Sequence, residues 1–350
     1  MLVAMTGASG GSSLGKMKPG ESAMSKPIIV VAGAGAVGCF VGGLLAAAGR
    51  EVKLLGRERV VKDVATRGLH ISDFTGLEVT ARPVAIGDPR VLASANVILV
   101  CVKGGATEEI GRLIGRHGHD DAVVVSLQNG VGNADLLRQA LPGRDVRAGI
   151  VGFNVVALGD GRYHRSVSGE IMVEAGPGGL GRLLRVPGLV VDEVREIKPL
   201  QRGKQILNLT NAVNALSGLR LREMLLQRGW RRVMAAQMAE ALKVYRKAGL
   251  GVVVPASVPG WAIPWLLRLP TPLFRRIAEP MLTVDSEART SMVVDLETGR
   301  KTEIDLFQGD IVRLGQKTGV ATPVNARVAE LVRAAGRDGV RPHLVAEMLD

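Results

Sequence analysis

Aromatic side chains are scarce in this chain: five Phe, three Trp and two Tyr make up 3% of 350 residues. A single-strand nucleic-acid binder needs aromatic platforms beside its cations, so the net charge of +12 does not point to one. The lysines and arginines are also scattered along the whole chain, whereas a helix-based reader concentrates them on one element. No nucleic-acid partner is expected, and the excess positive charge is read as a solvated surface that attracts anionic small molecules. Cysteine is nearly absent. Cys39 and Cys101 both fall in apolar stretches, which excludes a disulfide framework and fits a reducing cytoplasm. No metal site is expected. Long unbroken apolar runs are missing as well. The stretch 255–282 is apolar and holds Trp261 and Trp265, but prolines interrupt it too often for a membrane span. It reads as a connecting or partner-covered segment.

What is present is the composition of an ordinary globular protein, 47% hydrophobic and 22% charged, in a chain long enough for two domains. Residues 1–24 are rich in Gly and Ser and lack the apolar core of a signal peptide. They read as a disordered extension, with Met24 as a candidate start.

The rest of the chain is organised around residues 28–38. Five apolar residues run into Gly33-Ala34-Gly35-Ala36-Val37-Gly38, and an alanine-rich apolar stretch follows. This is the pattern of a buried strand, a glycine turn and the opening of a helix. In that setting Gly33 makes the turn, Gly35 admits a diphosphate to the backbone, and Gly38 allows helix and strand to approach. Free amides at the helix start favour the diphosphate. Residues 51–55 form the expected second strand. A ribose with a free 2′-hydroxyl usually meets an acidic residue just past this point. Here Arg57 stands there, with Arg59 and Lys62 behind it, which favours a 2′-phosphate and therefore NADP(H).

Further strands are expected at 96–102 and 122–126, each followed by a polar residue at its carboxyl end, Lys103 and Asn129. Ligands of open α/β sheets lie at those ends, so both residues are candidates to face the cofactor. Short strand-like runs at 149–156 and 170–174 follow, with His164 read as structural. Beyond residue 195 the pattern turns helical. The expected architecture is an α/β Rossmann-type dinucleotide-binding domain over residues 25–195 and an all-α domain over 196–350, which would carry the substrate and the chemistry. Read as one helix, 204–216 places Lys204, Asn208 and Asn211 on one face opposite Ile206, Leu209 and Val213. Short amides are poor helix formers without a compensating role, and ligand contacts would supply one. A long amphipathic helix is expected at 230–248. Thr302 is placed to cap another that runs to about residue 317, with Glu303 in its first turn, where the helix dipole alone favours a carboxylate.

In order, the Gly33–Gly38 turn, Val102-Lys103, Gln128-Asn129-Gly130, Lys204 with Asn208, and Ser291-Met292 followed by Thr302-Glu303-Ile304-Asp305 resemble the ketopantoate reductase (2-dehydropantoate 2-reductase) family. The resemblance runs from residue 25 to the C-terminal end. It implies an NADPH-binding domain joined to a helical domain, and reduction of a branched 2-keto acid on the pantothenate pathway. It implies further that Lys204 donates the proton, Asn208 holds substrate hydroxyls and Ser291 the substrate carboxylate, while Asn129 and Glu303 fix cofactor and substrate. Two departures bear on the substrate. Ala212 stands where the family commonly has a second asparagine, with Asn211 and Asn214 on either side. Phe153-Asn154 replaces a common threonine-histidine pair. Another 2-keto acid dehydrogenase or an opine-type dehydrogenase of the same fold stays open, as does an NADP-binding regulatory protein. Against the last, a sensor has no need of the Lys204, Asn208, Ser291 and Glu303 set. A homodimer also stays open.

Overall fold

A computed structural model describes residues 26–349 apart from 256–257, 283–289 and 340–341. The expectation for residues 1–24 lies outside the described residues. In chain order the strands are β1 (Ile28–Ala32), β2 (Glu51–Leu55), β3 (Leu69–Asp73), β4 (Glu78–Ala81), β5 (Val84–Ile86) and β6 (Val97–Val100). They continue as β7 (Val123–Ser126), β8 (Val146–Val151), β9 (Val155–Gly159), β10 (Arg162–Arg165), β11 (Ile171–Glu174) and β12 (Val191–Val194). Eight of them form one sheet in the order β12-β11-β8-β7-β6-β1-β2-β5. Six of these run parallel; β11 is antiparallel to β8 and leads β12 in its own direction. Both faces of this sheet carry apolar clusters, one containing Val31, Leu54 and Leu99, the other Val30, Ile98 and Val124. Burial on both faces is why these strands are continuous apolar runs rather than alternating ones.

The chain fills the sheet outward from β1 on one side through β2 and β5, then returns to the other side with β6 and β7. The strand order thus reverses between β1 and β6, and the crevice beyond their carboxyl ends is where an open sheet of this kind takes its ligand.

After β12 the chain is helical. The helices Ile197–Asn208, Thr210–Ser217, Arg228–Lys247, Gln308–Thr318 and Pro323–Asp338 surround a separate core built from Val213, Trp230, Met234, Phe307, Ile311 and Val332. Within it the Arg231 side chain is fully buried and donates to the carbonyls of Leu225, Leu267 and Leu269, with its guanidinium 4.2 Å from the Phe274 ring. The stretch read as connecting or partner-covered folds in part as the helices Ile263–Arg268 and Thr271–Leu282. Trp261 and Trp265 stand out from it, each 69% exposed.

The structure corrects two helix expectations and divides the strand-like runs past residue 149 between two sheets. β9 and β10 pair with β3 and β4 in a separate sheet of order β4-β3-β10-β9, where the His164 ring meets Ser72 Oγ at 2.9 Å. The helix expected over 204–216 is interrupted at Leu209, between Asn208 and Thr210. The helix expected to start at Thr302 starts at Gln308 instead, and residues 303–307 form a turn closed by the Leu306 N–H to the Glu303 carbonyl. Glu303 therefore owes its place to that turn and not to a helix dipole.

Candidate active site

The glycine turn leaves β1 as its pattern requires. Gly33 has φ of +114°, and its amide bonds the carbonyl of Leu55 at the end of β2. A Cβ at Gly38 would lie 2.2 Å from the Gly33 carbonyl oxygen, so only glycine lets the helix Ala36–Ala47 come this close. At Gly35 a Cβ would meet nothing within 4 Å. The helix that starts there has no side-chain cap and no acidic residue in its first turn. Open space beside uncapped amides at the switch point fits a dinucleotide diphosphate. Ala34 and Val37 pack on the adjoining apolar cluster from this turn.

Arg57 follows β2 and is exposed. The other two cations near it are engaged: Arg59 pairs with Asp63 and Lys62 with Glu58 along the helix Glu58–Arg67. The Arg57 guanidinium has no partner among the described residues. Lys103 follows β6, but its ammonium crosses the cleft to Asp295 Oδ1 at 2.5 Å.

Lys204 projects from the helix Ile197–Asn208 toward the ends of β7 and β8. Its Nζ donates to Asn129 Oδ1 at 3.0 Å and to the Val151 carbonyl at 2.6 Å. Asn129 Nδ2 in turn donates to Glu303 Oε2 at 3.1 Å, and the Gly104 amide donates to Glu303 Oε1 at 3.3 Å. Burial brings the Lys204 ammonium down to about 8 from its ordinary value, and the Glu303 charge resists that fall.

Asn129 is held by a buried polar chain that the sequence did not announce. Ser126 donates to Gln128, Gln128 to Thr107, and Thr107 to Asn133, whose amide returns to the Asn129 carbonyl at 2.5 Å. All four side chains in it are buried. On the helical side Gln205 donates to the carbonyls of Leu306 and Phe307, and Tyr245 donates to Gln205 at 2.7 Å. That arrangement holds the turn carrying Glu303. Gln205 and Asp295 were missed, and Gln128 was noted only within the Gln128-Asn129-Gly130 run, because a buried glutamine or aspartate has no signature of its role in a single sequence.

A cavity of about 730 Å³ opens beside Lys204, with Asn208, Leu207, Ile150, Met172 and Arg165 in its wall. Asn211 and Ser291 do not line it. They lie on neighbouring helices, Thr210–Ser217 and Ser291–Glu297, joined through Thr290, whose hydroxyl meets the Asn214 side chain at 3.2 Å. Ser291 is exposed and Asn211 half-buried. Asn214 is buried and also bonds the Leu219 carbonyl, so it is a structural amide. Among the described residues no cluster of His, Cys, Asp and Glu could hold a metal ion, and no helix is long and apolar enough to cross a membrane.

A glycine turn at the switch point of a parallel sheet, together with a half-buried lysine that a helical half brings to the ends of β7 and β8, is the arrangement of a two-domain, dinucleotide-dependent oxidoreductase. Residues 29–178 match the family described as ketopantoate reductase PanE/ApbA, and residues 196–336 match its C-terminal part. The chain belongs to the ketopantoate reductase family. It is 28% identical over 320 residues to the 2-dehydropantoate 2-reductase of Halobacterium salinarum, a match covering 89% of this chain and 99% of that protein. Among solved structures it is similar to a PanE/ApbA family ketopantoate reductase from Ralstonia eutropha, with a TM-score of 0.77 and 31% identity over 89% of this chain and 99% of that one. A D-mandelate dehydrogenase solved with NADH and anilino(oxo)acetate is similar at a TM-score of 0.73 and 25% identity, over 88% of this chain and 98% of that one.

Proposed function

We propose that this protein reduces 2-dehydropantoate to the 2-hydroxy acid with NADPH, in the cytoplasm. The observation that carries the reading is the hydrogen-bond state of Lys204. An ammonium has three protons to donate; two are held by Asn129 and Val151, and the third is left for a ligand oxygen. The nicotinamide, when bound, supplies a hydride to the keto carbon. Negative charge then develops on the keto oxygen, and a positioned ammonium stabilises that charge before giving up its proton. Lowering Lys204 toward neutrality makes the transfer easier, while Glu303, acting across Asn129, keeps the group protonated beforehand.

Asn208 in the cavity wall is assigned to the substrate hydroxyl. Ser291 and Asn211 are assigned to the carboxylate end, which requires the substrate to reach beyond the cavity toward their helices. The open face at Gly35 takes the diphosphate, and the unpartnered Arg57 takes the 2′-phosphate. The size of the cavity favours one second reading, a 2-keto acid with a larger apolar side chain. NADPH consumption with 2-dehydropantoate, 3-methyl-2-oxobutanoate and phenylglyoxylate separates them. The expected result is the highest kcat/KM for 2-dehydropantoate, because the analogue without a hydroxyl leaves polar groups of the site unpaired. Equal rates with 3-methyl-2-oxobutanoate would remove the pantoate assignment, and a preference for phenylglyoxylate would install the second reading.

A further inference from the structure

Lys103 and Asp295 join the two halves of the molecule just past the carboxyl end of β6, beside the point where the strand order reverses. The lysine leaves the end of β6, and its ammonium meets Asp295 Oδ1 at 2.5 Å and the Lys301 carbonyl at 3.1 Å. The aspartate side chain, on the helix Ser291–Glu297, is only 10% exposed, and that of Lys103 is 45% exposed. Next to this pair the Gly104 amide holds Glu303, and Leu306 covers Gly104 so closely that a Cβ there would lie 2.1 Å from Leu306 Cδ1. Residues 295–306 thus strap the ends of β6 and β7. A dinucleotide whose diphosphate sits at Gly35, beyond β1, extends its nicotinamide half over the neighbouring β6 and β7.

We propose that Asp295 is a positioning residue: by holding Lys103 across the cleft it closes the helical half over the nicotinamide end of the dinucleotide and so sets the place of Lys204. The proposal rests on the dinucleotide reading of the site. Asp295 acts through Lys103 and not on the reacting atoms. A carboxylate this deeply buried is poorly solvated by itself and is strongly favoured in the arrangement that supplies its cation. Lys103 is half exposed, so the clasp can open to admit the dinucleotide and re-form above it.

The test is direct binding of NADPH, and separately of 2′-phospho-AMP, to the full chain and to its Asp295→Asn, Lys103→Met and doubly substituted variants. The expected result is NADPH affinity lower by about three- to tenfold in each single variant, with the double variant no worse than the weaker single. Affinity for 2′-phospho-AMP, which lacks the nicotinamide half, is expected to stay unchanged, and Lys103→Arg is expected to restore NADPH binding. Should Asp295→Asn fail to fold, Lys103→Met, a change at a half-exposed side chain, carries the comparison alone. Equal weakening of both ligands, strictly additive losses, or unchanged NADPH affinity overturns the clasp. A wild-type protein that binds neither ligand overturns the dinucleotide reading and the clasp with it, whereas wild-type binding with unaffected variants overturns the clasp alone.

Discussion

Lys204 and Glu303 share no direct ion pair; the amide of Asn129 lies between them, accepting from the lysine at 3.0 Å and donating to the carboxylate at 3.1 Å. The chemistry of the two ends fixes the orientation of that amide, since an ammonium only donates and a carboxylate only accepts. Glu303 thus reaches Lys204 through the Asn129 amide and not by direct contact.

Lys204→Ala is expected to lower kcat by roughly 10²–10⁴-fold, the range of a lost general acid, with NADPH affinity nearly unchanged. In the intact enzyme kcat/KM should hold at neutral pH and fall as pH rises through about 8, where the buried ammonium gives up its proton. Single-turnover rates across pH check both. Lys317→Ala, at an exposed position near the end of the helix Gln308–Thr318, is the silent control. Retention of more than about a tenth of kcat by Lys204→Ala where chemistry limits turnover would assign the proton to another group.

Changing Asn129 should move that alkaline limb in opposite directions. Asn129→Ala removes an acceptor that stabilises the charged lysine, so the limb shifts to lower pH. Asn129→Asp puts a negative charge beside the ammonium, so the limb shifts to higher pH, while repulsion from Glu303 raises KM. Superposable pH profiles for all three proteins would separate Asn129 from the proton donor.

Arg57→Asp should raise KM for NADPH by roughly ten- to a hundredfold, as for a charge-assisted contact worth about 1.5–3 kcal/mol, and leave NADH nearly unaffected. Steady-state kinetics with the two cofactors decide it. A parallel loss with both would mark Arg57 as part of the basic surface.

The glycine turn separates folding from binding. Gly38→Ala forces a methyl against the Gly33 carbonyl and should cost about 1–3 kcal/mol of stability, read as a lower Tm. Gly35→Ala meets nothing within 4 Å, so Tm should stay put while NADPH affinity drops. If Gly35→Ala bound NADPH normally, the diphosphate would have to lie elsewhere.

The nucleotide half was legible in the sequence because its signals are local. A strand buried on both faces must be apolar throughout, and a turn with positive φ at Gly33 and a close approach at Gly38 must be glycine; both show in a dozen consecutive residues. The change to a helical pattern past residue 195 was equally local. The sheet β4-β3-β10-β9 was not legible, because β3 and β10 pair over some ninety residues of intervening chain and nothing within either strand names its partner. Nor was the break at Leu209, since helical periodicity continues through it. Lys204, Asn129 and Glu303 could each be singled out as residues of the right chemistry, but not their order of contact. Tertiary packing decided that: β7 delivers the amide, the helix after β12 delivers the lysine, and a turn held by Gln205 delivers the carboxylate. Hydrogen bonds of about 3 Å among three distant segments depend on how two cores dock, and no window of sequence contains that distance.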